Sequence, residues 1–431
     1  MKRTLYPALV QWKASPNRKP LILQGARQVG KTWLLKEFGR NEFDQVVYLN
    51  FESSERLKSL FLLDFDIKRI LAMIEIEVDH KIRPNDTLLI FDEIQEAPKG
   101  LTALKYFCEQ APEYSIVAAG SLLGVSLQQN TSFPVGKVDF LRMYPMSFFE
   151  FLENVGHRLL KEHLEAQNWP MIEPFHEKLV ELLRLYYFIG GMPEAVHSYV
   201  LQRDLREVRA IQDKILIGYE NDFAKHAPIE MVPKIRLVWH SLISQLAKEN
   251  RKFKYGQLKK GARARDFEAA IRWLYDAGMV LKADLVEKPS IPLQAYSDAD
   301  AFKLFLLDVG LLNALAKIDP KILLEKNAIL TEFKGALTEQ FVAQQLTIHH
   351  VLHYWAAPNA TAEVDFLIQS QNEIIPIEVK AEENLKSKSL KVFFEKYQPK
   401  TAVRSSMSPF REQEWMVNVP LYAAMTIGIP S

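Results

Sequence analysis

The sequence predicts an α/β protein. It begins with a parallel sheet covered by helices on both faces and continues with a helical segment, a winged-helix-like segment and a small α/β segment. Two observations carry this prediction. Compact apolar runs of strand length alternate with polar or helical stretches over residues 1–150. A glycine-bounded loop joins the first run to an amphipathic helix. The 431 residues are too many for one ordinary domain, and the length suggests about three.

The composition is that of a globular protein in a reducing compartment. Hydrophobic residues make up 48% and charged residues 25% of the chain, which is typical of soluble domains. The formal net charge is +1, so a surface that binds nucleic acid must be local. The single Cys108 excludes an internal disulfide framework. Neither a signal peptide nor a membrane helix is indicated, so we expect a cytoplasmic protein without a membrane partner.

The first predicted domain spans residues 1–150 and the second, a helical lid subdomain, spans residues 151–220. Strands of the first domain are expected at PLIL, QVVYLNFE, TLLIFDEI, SIVAAGS and KVDFLRM. Because helical stretches separate these runs, the strands should pair in parallel and be buried on both faces. The second domain is predicted from apolar residues at helical spacing, as in EKLVELLRLYYF.

Two further domains are predicted at residues 221–320 and 321–431. In the third, the helices in KIRLVWHSLISQLAKEN and ARDFEAAIRWLYD precede a strand pair expected around PLQAYS and FKLFLLD, which indicates a winged-helix-like module. The fourth opens with the helix TEFKGALTEQFVAQQL and continues with the strands VLHYWA, EVDFLIQ and IIPIEVKA.

The stretch GARQVGKT, residues 25–32, matches the phosphate-binding pattern G-x-x-x-x-G-K-[ST] and lies between an apolar strand and a helix. Glycines let the backbone approach phosphate, and the N–H groups of the loop and helix attract the anion. Lys31 should reach the β- and γ-phosphates and act in catalysis, while Thr32 should offer its hydroxyl to Mg²⁺. The predicted ATP contacts are Gly25, Ala26, Arg27, Gln28, Val29, Gly30, Lys31, Thr32, Trp33, Asp92 and Ser121.

The run LLIFDE, residues 88–93, ends a predicted buried strand in two acids. Asp92 should hold Mg²⁺ through water, and Glu93 should polarise the water that attacks the γ-phosphate. Ser121 follows another apolar strand and either lies beside the γ-phosphate or caps the next helix. Lys137 and Arg142 either act in trans on the nucleotide of a neighbouring subunit or are solvated basic residues.

These motifs together resemble a known family. GARQVGKT, LLIFDEIQ, AAGSLL, MYPMSFFEF and GGMPEAV, followed by FKLFLLDVGLLNAL and GALTEQFVAQQL, are similar to bacterial and archaeal AAA-type ATPases with a C-terminal DUF4143 domain. The resemblance implies binding of ATP and Mg²⁺, nucleotide sites between subunits of a homo-oligomer, and a C-terminal module similar to PD-(D/E)xK nucleases. Gly136-Lys137 stands where the family is expected to have Gly-Arg. Since lysine lacks the planar fork of arginine, an arginine-finger role is not carried over to Lys137.

In the stretch EVDFLIQSQNEIIPIEVKA, residues 363–381, charged residues alternate with apolar ones at 363–366 and 377–380, which predicts a hairpin. On its polar face, Glu363 and Asp365 meet Glu378 and Lys380. We expect Asp365 and Glu378 to share Mg²⁺ or Mn²⁺ with Glu339 of the preceding helix, and Lys380 to stabilise the developing charge. This arrangement resembles the active site of the nuclease superfamily. The other interpretation is a solvated, salt-bridged sheet face.

Two functions remain open at this point. In the first, ATP hydrolysis gates a metal-dependent phosphodiesterase that acts on DNA or RNA. In the second, the chain is a nucleotide-dependent switch or scaffold whose C-terminal domain binds a partner without cutting it. The basic segment RKFKYGQLKKGARAR, residues 251–265, either contacts phosphate or is a soluble loop.

Overall fold

A computed structural model describes residues 1–120, 123–126, 136–248, 252–320, 331–358, 361–381 and 387–429. The chain forms two compact units. Unit 1 comprises Met1–Tyr144 with Asp276–Gly278, and unit 2 comprises Pro145–Tyr275 with Met279–Ser431. The finer division into four domains stays a prediction. No helix within the described residues is both long and apolar enough to cross a membrane.

Unit 1 is built around a five-stranded sheet. Its strands are β1 (Leu21–Gln24), β2 (Gln45–Asn50), β3 (Thr87–Asp92), β4 (Ser115–Ala119) and β5 (Asp139–Arg142). All neighbours pair in parallel, in the order β2-β3-β4-β1-β5, which confirms the predicted parallel sheet. The carboxyl ends of all five strands therefore lie along one edge, where ligands of open α/β sheets bind.

Helices flank this sheet, as predicted. They are α1 (Tyr6–Ala14), α2 (Lys31–Glu42), α3 (Glu55–Lys58), α4 (Ile67–Val78), α5 (Gly100–Gln110) and α6 (Leu123–Ser126). Local sequence sets their ends: α4 begins after Asp66, whose side chain accepts hydrogen bonds from the N–H groups of Lys68 and Arg69 at 3.0 and 3.3 Å. The apolar faces of α3, α4 and α5 pack in one cluster with Leu89 and Phe91 of β3, a strand that is buried throughout.

The described α-helices of unit 2 fall before and between its strands. They are α7 (Phe148–Asn154), α8 (Arg158–Glu165), α9 (Trp169–Ile172), α10 (His176–Ile189), α11 (Pro193–Gln202), α12 (Leu205–His226), α13 (Val232–Leu246), α14 (Ala264–Asp276), α15 (Val309–Leu315), α16 (Thr331–Leu346) and α17 (Lys388–Tyr397). The first of them starts in a capping box formed by Ser147 and Glu150. The helix expected at TEFKGALTEQFVAQQL is α16, with the predicted bounds.

One eight-stranded sheet runs through unit 2. Its strands are β6 (Val280–Val286), β7 (Ser297–Leu306), β8 (His353–Ala356), β9 (Glu363–Ser370), β10 (Glu373–Val379), β11 (Val403–Ser406), β12 (Arg411–Glu412) and β13 (Val417–Pro420). Their order is β12-β13-β11-β10-β9-β8-β6-β7. The strand pair β6–β7 is antiparallel, and β6 pairs in parallel with β8, so this pair and the C-terminal strands share one sheet.

The position of one predicted strand is wrong. PLQAYS was expected to pair with FKLFLLD, but Leu293–Tyr296 forms a 3-10 turn and the partner of β7 is β6. The physical reason is local. Pro292 has no N–H group for a strand ladder, whereas VLKADLV in β6 alternates between buried and less buried residues. The winged-helix assignment itself stays a prediction.

The buried carboxylate of Asp308 connects the motif GGMPEAV with the motif FKLFLLDVGLLNAL. Asp308 accepts hydrogen bonds from the N–H groups of Gly191 at 2.6 Å and Leu311 at 2.9 Å. A Cβ atom added to Gly190 would lie 2.2 Å from the Asp308 carboxylate. Burial raises the pKa of Asp308, and the hydrogen bonds from the backbone oppose this rise. The glycines of GGMPEAV are therefore required by close approach to the aspartate of LLDVGLL.

Three glutamines of α16 satisfy buried backbone groups around this carboxylate. Gln340 bonds both the N–H and the carbonyl of Leu306, at 2.8 and 2.6 Å. Gln344 accepts from Val309 N–H at 2.9 Å, and Gln345 accepts from Phe148 N–H at 2.9 Å. These bonds explain why GALTEQFVAQQL carries amides on a buried helix.

Candidate functional site

The loop of residues 25–32 connects β1 to α2 as predicted. Gly30 is the N-cap of α2 with φ 93°, and Gly25 has φ 152°. A Cβ atom at Gly25 would lie 2.3 Å from the carbonyl oxygen of Met143, so no other residue fits there. The N-terminus of α2 and the loop N–H groups therefore form the start of an anion site at the carboxyl edge of the sheet.

The ammonium of Lys31 lies inside this loop. It donates hydrogen bonds to the carbonyl oxygens of Gly25 at 2.9 Å and Ala26 at 2.8 Å. The side chain is buried, and burial lowers the pKa of Lys31 to about 8, against the opposing effect of Glu93 and Asp92. The lysine is thus held by the loop at the place where phosphate is expected.

The predicted Mg²⁺ ligands Thr32 and Asp92 are in direct contact. The hydroxyl of Thr32 donates to Asp92 Oδ2 at 2.8 Å, and the hydroxyl of Tyr48 donates to the same oxygen at 2.8 Å. Burial and the bond to Asp92 raise the pKa of Tyr48 to about 12. Two hard oxygen ligands at one point fit Mg²⁺. Sequence reasoning missed Tyr48, although it lies near the carboxyl end of β2.

Glu93 follows Asp92 in a left-handed conformation, with φ 51°. The side-chain amide of Gln95 donates to its carboxylate, which fixes the orientation of the acid. A Cβ atom at Gly120, just after β4, would lie 2.1 Å from Gln95 Oε1, so a glycine there makes room for this contact. Gln95 was also missed. Its only signal in the sequence is its position two residues after the acid.

The remaining residues that were predicted to contact ATP differ in their exposure and in their contacts. The carbonyl of Val29 accepts from Arg3 at 2.8 Å, which ties α1 to the loop. Trp33 is 43% exposed. The positive charge of Arg27 contributes to the lowered pKa of Lys31. Gln28 has φ 66° within the loop. Ser121 lies outside the described residues.

The two residues considered for action in trans have partners within unit 1. Lys137 pairs with Glu109 at 2.9 Å, and both side chains are partly exposed. The guanidinium of Arg142 lies 5.4 Å from the centre of the Tyr144 ring. Roles in trans stay predictions for both.

In unit 2 the predicted hairpin is present. β9 and β10 are antiparallel with Phe366 opposite Ile377, and the register continued by one residue sets Asp365 opposite Glu378. Asp365 Oδ2 accepts from the N–H of Val379 at 2.8 Å. The structure therefore brings two of the predicted ligands onto one face of the hairpin.

Glu378 is held by a lysine and a helix N-terminus. Its carboxylate lies 2.6 Å from the ammonium of Lys380 and accepts from the N–H of Leu390 at 3.1 Å. Burial raises the pKa of Glu378, Lys380 acts against this rise, and Asp365 adds to it. Asp365 and Glu378 are therefore close enough to interact electrostatically, and their role as a shared site stays a prediction.

A lysine that sequence reasoning missed lies in this site. Lys303 of β7 is fully buried, and its ammonium is 2.5 Å from Glu363 and 3.9 Å from both Glu339 and Asp365. Across the described parts of the chain, no group of three or more His, Cys, Asp or Glu side chains is arranged to hold a metal ion. The metal-binding roles of Glu339, Asp365 and Glu378 stay predictions.

The basic segment has a buried aromatic side and a charged outer side. Phe253 is buried and stacks on Phe302 with ring centres 5.5 Å apart. The described lysines and arginines of residues 252–265 are exposed. Such charges are available to phosphate, but contact with DNA or RNA stays a prediction.

The loop, the helix N-terminus and the acids at the end of β3 define unit 1 as a P-loop nucleotide-binding domain. Comparison with known families matches residues 17–152 to the AAA domain. Residues 180–322 match a domain of unknown function, DUF8612, and residues 334–423 match the domain of unknown function DUF4143. Residues 17–152 therefore carry an AAA domain and residues 334–423 a DUF4143 domain, the two domains that the resemblance of the sequence implied.

Solved structures with a similar fold are distant. A Walker-type ATPase of Pyrococcus abyssi is 15% identical, over 73% of this chain and 95% of that chain, with a TM-score of 0.45. The ORC2 protein of Aeropyrum pernix, with ADPNP and ADP, is 14% identical over 74% and 94%, with a TM-score of 0.37. The ORC1 protein of that organism, in complex with DNA, is 14% identical over 73% and 90%, with a TM-score of 0.30. No curated protein matches the chain.

Proposed function

We propose that unit 1 binds ATP with Mg²⁺ and hydrolyses it. The observation that carries this proposal is the 2.8 Å hydrogen bond between Thr32 of the P-loop helix and Asp92 at the end of β3. It joins the phosphate-binding element to the acidic strand end. Thr32 and Asp92 would hold Mg²⁺, which supplies positive charge against the β- and γ-phosphates.

Lys31 binds the phosphates in this mechanism. Its ammonium now uses two carbonyl oxygens, of Gly25 and Ala26, as acceptors. An anionic phosphate oxygen is a stronger acceptor than a neutral carbonyl, so the ammonium should exchange these bonds for phosphate when ATP enters the loop. The lysine then offsets charge on the β- and γ-phosphates.

Glu93 is the group that would take the proton from the attacking water. The contact with Gln95 keeps its carboxylate in one orientation. A carboxylate that is placed before the reaction starts needs no reorganisation in the transition state. Gln95 is therefore proposed as a positioning residue rather than a catalytic one.

Two variants test this assignment. Lys31→Ala should abolish measurable ATP binding, because the charge that faces the phosphates is lost. Glu93→Gln should keep ATP binding and lower turnover by about 100-fold or more, since only proton transfer depends on it. Glu96→Gln, in the 3-10 turn Ile94–Glu96 that directly follows Glu93, is the matched control and should keep both ATP binding and turnover.

Calorimetry would give the ATP affinity, and release of phosphate would give the rate. Unchanged affinity in Lys31→Ala would refute the assignment of the nucleotide site. Turnover at the wild-type rate in Glu93→Gln would refute only the role of that residue.

A second candidate function belongs to unit 2, where we propose a nuclease-like site with Asp365, Glu378 and Lys380 as catalytic residues. The supporting observation is that the register of the hairpin sets Asp365 opposite Glu378. The ammonium of Lys380 lies 2.6 Å from the carboxylate of Glu378. Asp365→Asn should abolish cleavage of DNA or RNA in Mg²⁺ or Mn²⁺. Glu373→Gln, on strand β10 of the same hairpin and paired with Lys400 at 3.1 Å, should not.

The alternative is a nucleotide-dependent switch or scaffold whose C-terminal domain binds a partner without cleaving it. Binding of nucleic acid or protein by the wild-type chain with no cleavage in either metal would favour this alternative. Assembly into a homo-oligomer, trans roles for Lys137 and Arg142, and a cytoplasmic location stay predictions from the family and the sequence.

A further inference from the structure

A buried ammonium lies at the point on which three carboxylates of unit 2 converge. Lys303 Nζ is 2.5 Å from Glu363, 3.9 Å from Glu339 and 3.9 Å from Asp365. The Lys303 side chain has no exposed surface, while those of Asp365 and Glu363 are 15% and 25% exposed. Solvent therefore reaches these two acids but not the cation between them.

The position of Lys303 is fixed by the sheet. The pairing of β6 with β7 shifts register between Asp284 and Leu285, so that residues 299–301 bulge from β7 shortly before Lys303. Bulges redirect the side chains next to them. The ammonium also lies 4.9 Å from the centre of the Tyr354 ring on β8, a cation–π distance. Lys303 is thus held in place from two neighbouring elements.

We propose that Lys303 is the built-in cation of this site. It gathers the three carboxylates and excludes a divalent metal ion such as Mg²⁺ or Mn²⁺ until the ammonium moves away. The proposal rests on the second candidate function, which assigns Glu339 and Asp365 as metal ligands. Lys303 is a positioning residue, because it acts through these acids.

Charge and geometry support exclusion. An ammonium and a divalent ion use the same carboxylate oxygens, and two cations within a few ångströms repel each other strongly in a buried site. One lysine offsets only one of the three acidic charges, so the cluster still attracts cations. The metal is therefore blocked by the ammonium that lies between these carboxylates, 3.9 Å from Glu339 and Asp365, and not by a lack of negative potential.

The test measures Mn²⁺ binding to the nucleotide-free full chain, from the electron paramagnetic resonance signal of free Mn²⁺. The wild type should bind Mn²⁺ weakly, and Lys303→Met should bind it about tenfold or more tightly, because the competing cation is gone. Adding Asp365→Asn to Lys303→Met should remove the gain, which assigns the new binding to this cluster.

Two controls separate charge from packing. Lys303→Arg keeps the positive charge and should show no gain in Mn²⁺ affinity. Lys282→Met removes a lysine from the neighbouring strand β6, where it pairs with Asp284 at 2.8 Å, and should show no gain either. A gain in Lys282→Met equal to that in Lys303→Met would contradict the proposal.

Removing Lys303 leaves three acids close together without their cation and can destabilise the fold. The double variant Lys303→Met/Glu363→Gln relieves part of that repulsion and keeps Glu339 and Asp365. A tighter Mn²⁺ affinity, or a melting temperature raised by Mn²⁺ beyond that of the wild type, in either variant supports the proposal. Wild-type behaviour toward Mn²⁺ in both variants overturns it.

Cleavage is read separately from metal binding. If the variants gain Mn²⁺ and cut neither DNA nor RNA, the nuclease-like candidate function fails and the role of Lys303 stands. If the wild type itself binds Mn²⁺ as tightly as the variants, the role of Lys303 fails whatever the cleavage assay shows.

Discussion

At the scale of single residues, Lys31 is the clearest case in which the fold changes the chemistry of a side chain. The ammonium is enclosed by its own loop and donates to two carbonyl oxygens. Burial lowers the pKa of Lys31 to about 8, and this opposes the charged form that phosphate binding needs. The bound phosphates should raise that pKa again, so ATP binding and protonation of Lys31 are linked.

This linkage predicts a pH dependence. Below pH 8 or so the free protein already carries the charged lysine, and ATP affinity should not change with pH. As the pH rises through about 8, free Lys31 loses its proton, and ATP affinity should fall by up to about tenfold per pH unit. Calorimetry in buffers of different ionisation enthalpy should show proton uptake on binding in this range. Binding without proton uptake between about pH 7 and 9 would contradict the linkage.

A site residue can be predicted from sequence when it belongs to a short motif whose members are close together in the chain. Lys31 and Thr32 lie in one short loop with fixed spacing, and Asp92 ends an apolar run, so all three were predictable. Tyr48 and Lys303 were not, because their partners are far away in the sequence and only strand pairing brings them together. A lysine within an apolar strand, as in FKLFL, was the only signal available for Lys303.

At the scale of elements, close approach of backbones explains the double glycine of unit 2. The N–H of Gly191 donates to Asp308. A Cβ atom at Gly191 would lie 2.1 Å from the carbonyl oxygen of Met146. Since the backbone of Met146 cannot yield as a flexible side chain does, the start of α7, the turn before α11 and the carboxylate before α15 are fixed to one another.

We therefore expect Gly191→Ala to lower the free energy of unfolding by roughly 1–3 kcal/mol or more, through overpacking against backbone. The matched control is Gly256→Ala, where an added Cβ atom meets nothing within 4 Å and the change should stay within about 1 kcal/mol. Urea denaturation of both variants would measure the difference. Equal stability of the two variants would show that the junction yields more easily than the distances suggest.

Element types were predictable where the apolar pattern was long and regular. Helix α10, with apolar residues at helical spacing, and the hairpin β9–β10, with charged and apolar residues alternating at its ends, formed as expected. The strand expected at PLQAYS did not form, although the run has apolar and aromatic residues, because Pro292 cannot donate a hydrogen bond to a strand ladder. The pairing of β6 with β8 could not be predicted, because a parallel pair between distant segments leaves no signal in either one alone.

At the scale of the whole molecule, the path of the chain links the nucleotide site to the sheet of unit 2. Asp276–Gly278 belongs to unit 1, while the chain just before and just after it belongs to unit 2. Within unit 1, a Cβ atom at Gly278 would lie 3.3 Å from the backbone nitrogen of Ala26 in the P-loop. Residue 279 and strand β6 follow at once in the sequence.

A change in the P-loop backbone on ATP binding should therefore reach β6 through these three residues. We expect hydrogen exchange of the amides in Val280–Val286 to change when ATP is held by Glu93→Gln, relative to the same variant without nucleotide. Lys31→Ala in ATP is the control and should show no change, because the loop stays empty. If exchange in β6 is the same with and without ATP in Glu93→Gln, while the P-loop amides become protected, then nucleotide binding is confined to unit 1. That result would exclude a switch that acts from the P-loop through Asp276–Gly278 on the C-terminal strands, because β6 follows Gly278 in the sequence and pairs with β8.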